Sequence, residues 1–317
     1  MTTFAHSNNH RTHAKMAALN LPGHLMKIIL FICILISAFF NTAFAHEIAL
    51  TFDDLPDQQA HTAAQQREIN LSILNAIDKY KAPAIGFVNE SKLYLSSESK
   101  EKIAVLKLWA ERGYPLGNHT YSHPSMHKVP LDEFKQEVVK GSAISKKLME
   151  EANLPYTYFR HPYLHTGTTP EARTAFNAFL KQEGYIVAPA TIDTDDYVFN
   201  TKLIANPQDK DKIIAAYLDH TRKKFAFYKD ASEKMFGRNI KHIWLLHANL
   251  LNAYTMNDLL NIAQEHGYEF ITLDTALKDP AYASPDNYYK DFGVSWLYRW
   301  DYSKHKAVDW KNEPEPR

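Results

Sequence analysis

Residues 47–56 read Glu-Ile-Ala-Leu-Thr-Phe-Asp-Asp-Leu-Pro, an apolar run that stops at two adjacent carboxylates. The run predicts a buried strand over 47–52, because short apolar stretches of this length are typical of α/β domains. Asp53 and Asp54 then lie where the strand ends. Side chains alternate along an extended chain, so we expect the two carboxylates to point to opposite sides and to serve separate purposes. A turn or a helix cap is the alternative interpretation of such a pair.

Further short apolar runs alternate with segments of helical period, which favours one α/β domain with largely parallel strands. Strands are predicted at 47–52, 84–88, 115–118, 156–159, 185–188, 242–246 and 269–272. Helices are predicted at 63–80, 99–112, 131–151, 169–183, 210–236 and 255–266. We therefore expect a distorted (β/α) barrel of seven strands, with a long helical insertion before the last catalytic strand.

Polar residues follow the predicted strands at several points. They are Asp53, Asp54, His119, Arg160, the acidic cluster at 193–196 and His247. In a (β/α) barrel the carboxyl ends of the strands converge on one face, so residues far apart in sequence surround one pocket there. The pattern thus predicts a single site.

The segment Gly117-Asn118-His119-Thr120-Tyr121-Ser122-His123-Pro124 places two histidines at positions i and i+4. These would share one face if the segment formed a helical turn. Such pairs also arise by chance in a chain with 16 histidines. Together with Asp54, however, the pair provides a donor set that leaves positions open on a divalent ion for water and substrate.

Five short motifs together resemble those of the polysaccharide deacetylases, also called the NodB homology domain or carbohydrate esterase family 4. In chain order they are Thr51 to Asp54, His119 to His123, Arg160-His161-Pro162-Tyr163, Asp193 to Tyr197 and Leu245-Leu246-His247. The resemblance implies a NodB-like domain over 46–275. Beyond about residue 275 the sequence matches no pattern.

The resemblance implies that Asp54, His119 and His123 bind one divalent metal ion and that Asp53 is the general base. His247 would protonate the departing amine, because an unprotonated amine is a very poor leaving group. We expect zinc as the metal, with cobalt, manganese or iron also compatible with these ligands.

Supporting roles follow from the same resemblance. Arg160 would hold Asp53 through two parallel hydrogen bonds, and Asp196 would orient His247 and raise its pKa. The backbone N–H of Tyr163 would stabilise the oxyanion. The residues expected to bind substrate are Tyr163, Pro162, Tyr197 and Leu245. Tyr197 departs from the family, which usually has tryptophan there, so we expect a narrower or more polar wall of the acetyl pocket.

The implied activity is removal of N-acetyl groups from an amino-sugar polysaccharide, either peptidoglycan or chitin-like oligomers. An O-acetyl polysaccharide esterase of the xylan type is one alternative, and a catalytically silent carbohydrate-binding protein is another. The presence of both Asp53 and His247 argues against the silent protein. The formal net charge is +0 at pH 7, which gives no reason to expect nucleic acid as a partner. The sequence leaves the oligomeric state open.

The N-terminal region predicts export. Met26-Lys27 precedes an apolar run over 28–40 and small residues up to Ala45, which is the order of a signal peptide. We expect cleavage near Ala45 and a periplasmic or secreted product without a stable membrane anchor. An uncleaved anchor is the alternative, although a span needs about 20 apolar residues. Residues 1–25 are interpreted as a non-native extension, and 26–45 as the signal peptide.

Two segments have two interpretations each. Residues 209–236 either cover part of the substrate groove or form an amphipathic helix on the barrel exterior, which the helical spacing of apolar residues favours. Residues 276–317 form an aromatic-rich C-terminal extension that includes Trp296, Trp300, Tyr302 and Trp310. Its rings either stack on sugars or pack on the domain, and packing is favoured because aromatic side chains bury large areas.

Overall fold

Eight parallel strands form one sheet in the computed structural model, which describes residues 46–59 and 62–317. The strands are β1 (His46–Leu55), β2 (Ala84–Val88), β3 (Leu116–Asn118), β4 (Tyr158–Phe159), β5 (Ile186–Val187), β6 (Ile192–Asp193), β7 (His242–His247) and β8 (Tyr268–Ile271). Their hydrogen-bonded order is β5-β4-β3-β2-β1-β7-β6, and β8 pairs with the start of β1. The predicted signal peptide and N-terminal extension lie outside the described residues.

Helices connect the strands and cover the outside of the sheet. They are α1 (Ala63–Tyr80), α2 (Ser99–Glu111), α3 (Leu131–Lys140), α4 (Ala143–Glu151), α5 (Pro170–Gln182), α6 (Asp196–Ala205), α7 (Lys210–Phe236), α8 (Leu250–Glu265), α9 (Leu273–Leu277) and α10 (Trp296–Trp300). The alternation of parallel strands and helices confirms the predicted distorted (β/α) barrel. All seven predicted strands are present, and the two-residue β6 is an addition to them.

Strand β1 is central and is buried from Ile48 to its end, with β2 on one side and β7 on the other. Ile48, Leu50 and Phe52 pack against the helices, whereas Ala49 belongs to a smaller cluster inside the barrel. Because side chains alternate along a strand, this register directs Thr51 and Asp53 to the same inner side as Ala49. The strand thereby delivers a carboxylate to the mouth of the barrel.

The predicted helix over 131–151 is wrong as one element, because it divides into α3 and α4 around Gly141. A Cβ atom at Gly141 would lie 2.6 Å from the backbone carbon of Thr120. The backbone of the histidine segment therefore packs directly against the break. Helix α8 also begins earlier than predicted, because Asn249 caps it and accepts a hydrogen bond from the backbone N–H of Asn252 at 2.8 Å.

The long insertion is the single helix α7, which has 27 residues. Its Tyr217, Phe225 and Tyr228 are buried in the main core, so the helix packs on the barrel exterior. Trp296, Leu297 and Trp300 of the C-terminal segment enter the same core. None of the helices within 46–59 and 62–317 combines the length and the apolar character that a bilayer crossing demands.

Candidate active site

The carboxyl ends of the strands surround a cavity of about 470 Å³. Its walls come from the ends of β1 and β7 and from the loops that follow β3, β4 and β6. The lining residues are Asp53, Asp54, Gln58, His119, His123, Tyr163, Leu164, His165, Asp193, Tyr197, Leu245, His247 and Gly293. The structure therefore brings together residues from all five predicted motifs, as expected for the carboxyl face of such a barrel.

Both aspartates at the end of β1 face this one cavity, so the expectation that they point to opposite sides is wrong. Asp54 has a positive φ of 69°, and the pairing of β1 with β2 gains one extra residue between Phe52 and Leu55. Such a bulge redirects the side chains next to it. The alternation that holds along β1 is thus interrupted at the position where the second carboxylate is needed.

His119 and His123 lie side by side with ring centroids 4.8 Å apart. The expected helical turn is absent, because the segment is an irregular loop in which Thr120 and His123 have φ values of 67° and 62°. Asn89 supports the loop by donating a hydrogen bond to the carbonyl oxygen of His119 at 2.6 Å. The two imidazoles are therefore paired by loop geometry.

Asp54, His119 and His123 can together hold a metal ion, since one ligand atom from each lies within 4.8 Å of the others. Asp54 Oδ1 is 3.6 Å from His123 Nε2 and 4.0 Å from His119 Nε2. A tetrahedral zinc ion with bonds of about 2.1 Å separates its ligand atoms by roughly 3.4 Å, so the three donors are close to the required spacing.

The state of the imidazoles also suits metal binding. His119 Nδ1 is 2.8 Å from the carbonyl oxygen of Arg160 and donates its proton to it, which leaves Nε2 as a lone-pair donor, 3.7 Å from Asp53 Oδ2 and 4.0 Å from Asp54 Oδ1. Burial lowers the pKa of both His119 and His123. Neutral imidazoles are the form that ligates metals.

Lys92 is a cationic neighbour of this cluster that the sequence did not reveal. Its Nζ lies 3.1 Å from Asp54 Oδ1 and 3.2 Å from the carbonyl oxygen of Asp54. Burial would raise the pKa of Asp54, but Lys92, with smaller contributions from the nearby histidines, holds it well below its usual range. Asp54 is therefore an anion beside a fixed positive charge.

Arg160 reaches Asp53 in a different way from the one expected. Its Nη1 donates to Asp53 Oδ2 at 3.4 Å, while Nη2 donates to Thr51 Oγ1 at 2.9 Å. The predicted pair of parallel bonds to the carboxylate is thus replaced by one bond. Asp53 Oδ1 has no hydrogen-bond partner among the described residues. Burial raises the pKa of Asp53 to about 6 against the opposing charge of Arg160.

His247 at the end of β7 is held by Asp196 at the start of α6. Asp196 Oδ1 accepts from His247 Nδ1 at 2.7 Å, and Oδ2 accepts from the backbone N–H of His247 at 2.7 Å. Asn252 and Asn249 donate to the same Oδ2. Burial would lower the pKa of His247, but Asp196 outweighs it and raises the pKa to about 10. The imidazole is therefore protonated at neutral pH.

The remaining predicted substrate-binding residues lie at or behind the cavity wall. Tyr163, Tyr197 and Leu245 line it, and the ring of Tyr197 is 5.9 Å from that of His247. Pro162 is buried and begins the 3-10 turn that carries Tyr163 and Leu164. Tyr163 has a φ of 56°.

Four further lining residues escaped sequence reasoning: Gln58, Leu164, His165 and Gly293. Gly293 comes from the C-terminal segment, and a Cβ atom there would lie 1.7 Å from the carbonyl oxygen of Tyr163. Only glycine permits this approach. Proximity to the Arg160 motif was a signal for His165, but nothing local could reveal a wall residue 130 positions further along the chain than Tyr163.

Residues 41–178 match the family model described as polysaccharide deacetylase. A peptidoglycan-N-acetylglucosamine deacetylase from Bacillus cereus is 30% identical over 152 residues, which cover 48% of this chain and 46% of the relative. The corresponding enzyme PgdA of Listeria monocytogenes is 23% identical over 229 residues, covering 72% of this chain and 38% of the relative. The chain thus spans less than half the length of these relatives.

Solved structures support the fold. The crystal structure of a CE4 family pseudoenzyme from Bacillus anthracis aligns with a TM-score of 0.51 at 16% identity, covering 74% of this chain and 66% of that one. A mutant of a CE4 family pseudoenzyme with restored enzymatic activity aligns with the same TM-score at 18% identity, covering 74% and 68%. At these identities the likeness concerns the fold alone.

Proposed function

Since residues 41–178 match the polysaccharide deacetylase family model, we propose that this chain is a member of that family and hydrolyses N-acetyl groups on an amino-sugar polymer, namely peptidoglycan or chitin-like oligomers. The observation that carries the proposal is the shared cavity, in which Asp53, Asp54, His119, His123 and His247 meet. The names of the relatives from Bacillus cereus and Listeria monocytogenes favour a peptidoglycan substrate. We place the enzyme outside the cytoplasm, on the strength of the signal-like sequence at 26–45.

Asp54, His119 and His123 are the proposed ligands of one divalent ion, with zinc the best match to two imidazoles and a carboxylate. Such an ion supplies Lewis acidity, which polarises the acetyl carbonyl and makes water a better nucleophile. The protein's contribution is to keep both imidazoles neutral and the carboxylate charged, as burial and Lys92 do here.

Asp53 is the proposed general base that takes a proton from the attacking water. Its carboxylate lines the cavity, and its Oδ1 is not committed to another group among the described residues. A pKa of about 6 makes it a stronger base than an ordinary aspartate, while leaving it mostly ionised at neutral pH. Arg160 fixes the other oxygen through its single hydrogen bond.

His247 is the proposed general acid that protonates the leaving nitrogen. Its Nδ1 is bound to Asp196, so Nε2 is the atom available to the substrate. The positive charge maintained by Asp196 supplies the proton in the step that breaks the C–N bond. The backbone N–H of Tyr163 is the proposed donor to the oxygen that develops negative charge.

Acetate release provides the test. The protein would be treated with a chelator, reloaded with single divalent metals and assayed on peptidoglycan fragments and chitooligosaccharides. Asp53→Asn should lower the rate by about 10²- to 10⁴-fold, because a positioned base contributes about that much. Asp132→Asn, whose side chain is 89% exposed, is the matched control and should keep the full rate. An unchanged rate for Asp53→Asn would remove the proposed base.

The two alternative functions give different results in the same assay. An O-acetyl esterase would release acetate from acetylated xylan and little from the amide substrates, and it would keep ester activity after His247→Ala because an alkoxide leaves more readily than an amine. A silent binding protein would retain oligosaccharide without turnover under every metal. Either outcome would overturn amide hydrolysis.

A further inference from the structure

The C-terminal segment contains a second cavity, of about 690 Å³, on the surface of the domain. Part of the aromatic stretch near the C-terminus faces it, whereas Trp296 and Trp300 are buried in the core. The two interpretations of that stretch therefore apply to different residues. The lining residues are Asn287, Tyr298, Asp301, Tyr302, Ser303, Lys306, Val308 and Trp310.

The aromatic rings at this cavity are fixed from behind. Trp310 Nε1 donates to Asp301 Oδ2 at 2.9 Å, and the Trp310 ring lies 5.5 Å from Phe227 of α7. The rings of Trp310 and Tyr298 have centroids 5.0 Å apart. Tyr302 is 45% exposed. The cavity thus presents preformed aromatic surface rather than mobile side chains.

Several polar groups around the rings are uncommitted. Among residues 46–59 and 62–317 we find no hydrogen-bond partner for the side-chain amide of Asn287, the hydroxyls of Tyr298 and Tyr302 or the ammonium of Lys306. Asp301, in contrast, is already occupied by Trp310 and by the backbone N–H of Ala307 at 2.7 Å. The available groups are therefore neutral hydroxyls and an amide with one cation.

This combination matches a pyranose ring. A sugar presents C–H groups on its faces, which pack on aromatic rings, and hydroxyl or acetamido groups at its edge, which pair with amides and hydroxyls. We propose that this cavity is a second glycan-binding site, which takes acetylated amino-sugar residues of the polymer that the enzyme deacetylates. The identity of the sugar rests on the proposed function.

The position of the cavity agrees with this role. Asn287 lies at the second cavity and Gly293 at the catalytic one. Six residue steps span at most about 22 Å of extended chain, so one oligosaccharide of several residues can reach both. Two buried arginines hold the connecting segment: Arg299 Nε donates to Asp286 Oδ2 at 2.8 Å, and Arg173 donates to the carbonyl oxygen of Tyr288. These bonds anchor the start of the segment, and its end is anchored where Gly293 packs against the backbone of Tyr163.

Calorimetric binding of N-acetylglucosamine hexamer and dimer to the zinc-loaded Asp53→Asn protein tests the proposal, since the slower hydrolysis expected of that variant limits consumption of the sugar during the titration. Adding Tyr302→Ala or Asn287→Ala should weaken binding of the hexamer by roughly fivefold or more and leave the dimer unaffected. Tyr254→Ala removes a tyrosine of similar exposure, 47%, and should change neither. In the otherwise native protein, Tyr302→Ala should leave acetate release from the dimer unchanged.

The outcomes separate this inference from the proposed function. Unaltered hexamer affinity in both variants overturns the second site, even if acetate is released normally. Hexamer binding that depends on Tyr302 and Asn287, in a native protein that releases no acetate, supports the second site and rejects the deacetylase. Thermal unfolding shows whether Tyr302→Ala is misfolded. If it is, the hexamer affinity of Asn287→Ala, which removes only an exposed amide, decides whether the second site exists.

Discussion

Two pairings of carboxylate with imidazole lie at the catalytic cavity, one of them with its carboxylate, Asp196, buried behind the wall, and they are held in different ways. Asp196 accepts hydrogen bonds from His247, Asn249 and Asn252, so its pairing with His247 is complete without any added group. Asp54 Oδ1 lies 3.6 and 4.0 Å from its two imidazoles, and Lys92 Nζ lies closer, at 3.1 Å. Asp196 and His247 already form a complete proton-donating pair. Asp54 and its two imidazoles are instead three ligands spaced to bind a metal ion. Each can therefore be disturbed separately.

Loss of a proposed metal ligand should have the largest effect on activity. His119→Ala or His123→Ala should reduce acetate release by about 10⁴-fold, equivalent to several kcal/mol of transition-state stabilisation. Calorimetric titration with zinc should show the site lost in both variants. His266→Ala, at the end of α8 and away from the cavity, is the control. Retention of stoichiometric zinc by either variant would contradict the ligand assignment.

Removal of the acid should lower activity and leave metal binding intact. His247→Ala should decrease amide hydrolysis by about 10²- to 10⁴-fold, the range expected for general acid–base catalysis, while zinc affinity stays near that of the native protein. This outcome would separate the two sides experimentally. If zinc binding were lost as well, the acid and the metal ligands would depend on each other, and the distinction between the two groups would fail.

The carboxylate behind the acid should control the alkaline limb of the pH profile. Activity needs protonated His247, so it falls as pH rises through the pKa of His247, about 10 in the native protein. Asp196→Asn removes the charge that raises this pKa, and the limb should move to lower pH by roughly one unit or more. Rates measured from pH 6 to 11 would show the shift. If the alkaline limb does not move in Asp196→Asn, a group other than His247 is responsible for it.

The smallest effect is expected at Lys92. Its ammonium lies beside a proposed ligand oxygen and repels a divalent ion, so Lys92→Met should tighten zinc binding by about tenfold or less. Lys92→Arg keeps the charge and is the matched control. Competition with a chromogenic chelator measures the difference. Weaker zinc binding in Lys92→Met, with Lys92→Arg unchanged, would show that the lysine positions Asp54 instead.

The sequence predicted the strands, the barrel and the residues that meet at its mouth, because apolar runs and polar strand ends are local signals. It did not predict how the residues are oriented. The bulge at Asp54 and the loop geometry of His119 to His123 depend on positive φ values at non-glycine residues. Such conformations raise the local free energy of the backbone and persist only where the surrounding structure imposes them. No local sequence pattern therefore predicts them.

Contacts across large sequence separations were also beyond prediction. The interruption at Gly141 follows from the backbone of Thr120 lying against it, and the proximity of Lys92 to Asp54 depends on how the turn after β2 folds back. The two parallel hydrogen bonds expected between Arg160 and Asp53 assumed a free guanidinium, but Thr51 takes one of its donors. Each difference reflects packing among distant segments.

The close packing of Gly293 against Tyr163 affects when the catalytic cavity is completed during synthesis. Synthesis proceeds from the N-terminus, so every proposed ligand, base and acid has been added by residue 247, while the last wall of the cavity arrives with residue 293. A nascent chain can therefore contain all the proposed catalytic residues before the residue that completes the cavity wall has been synthesised. We therefore expect competence to appear late, when the C-terminal segment docks.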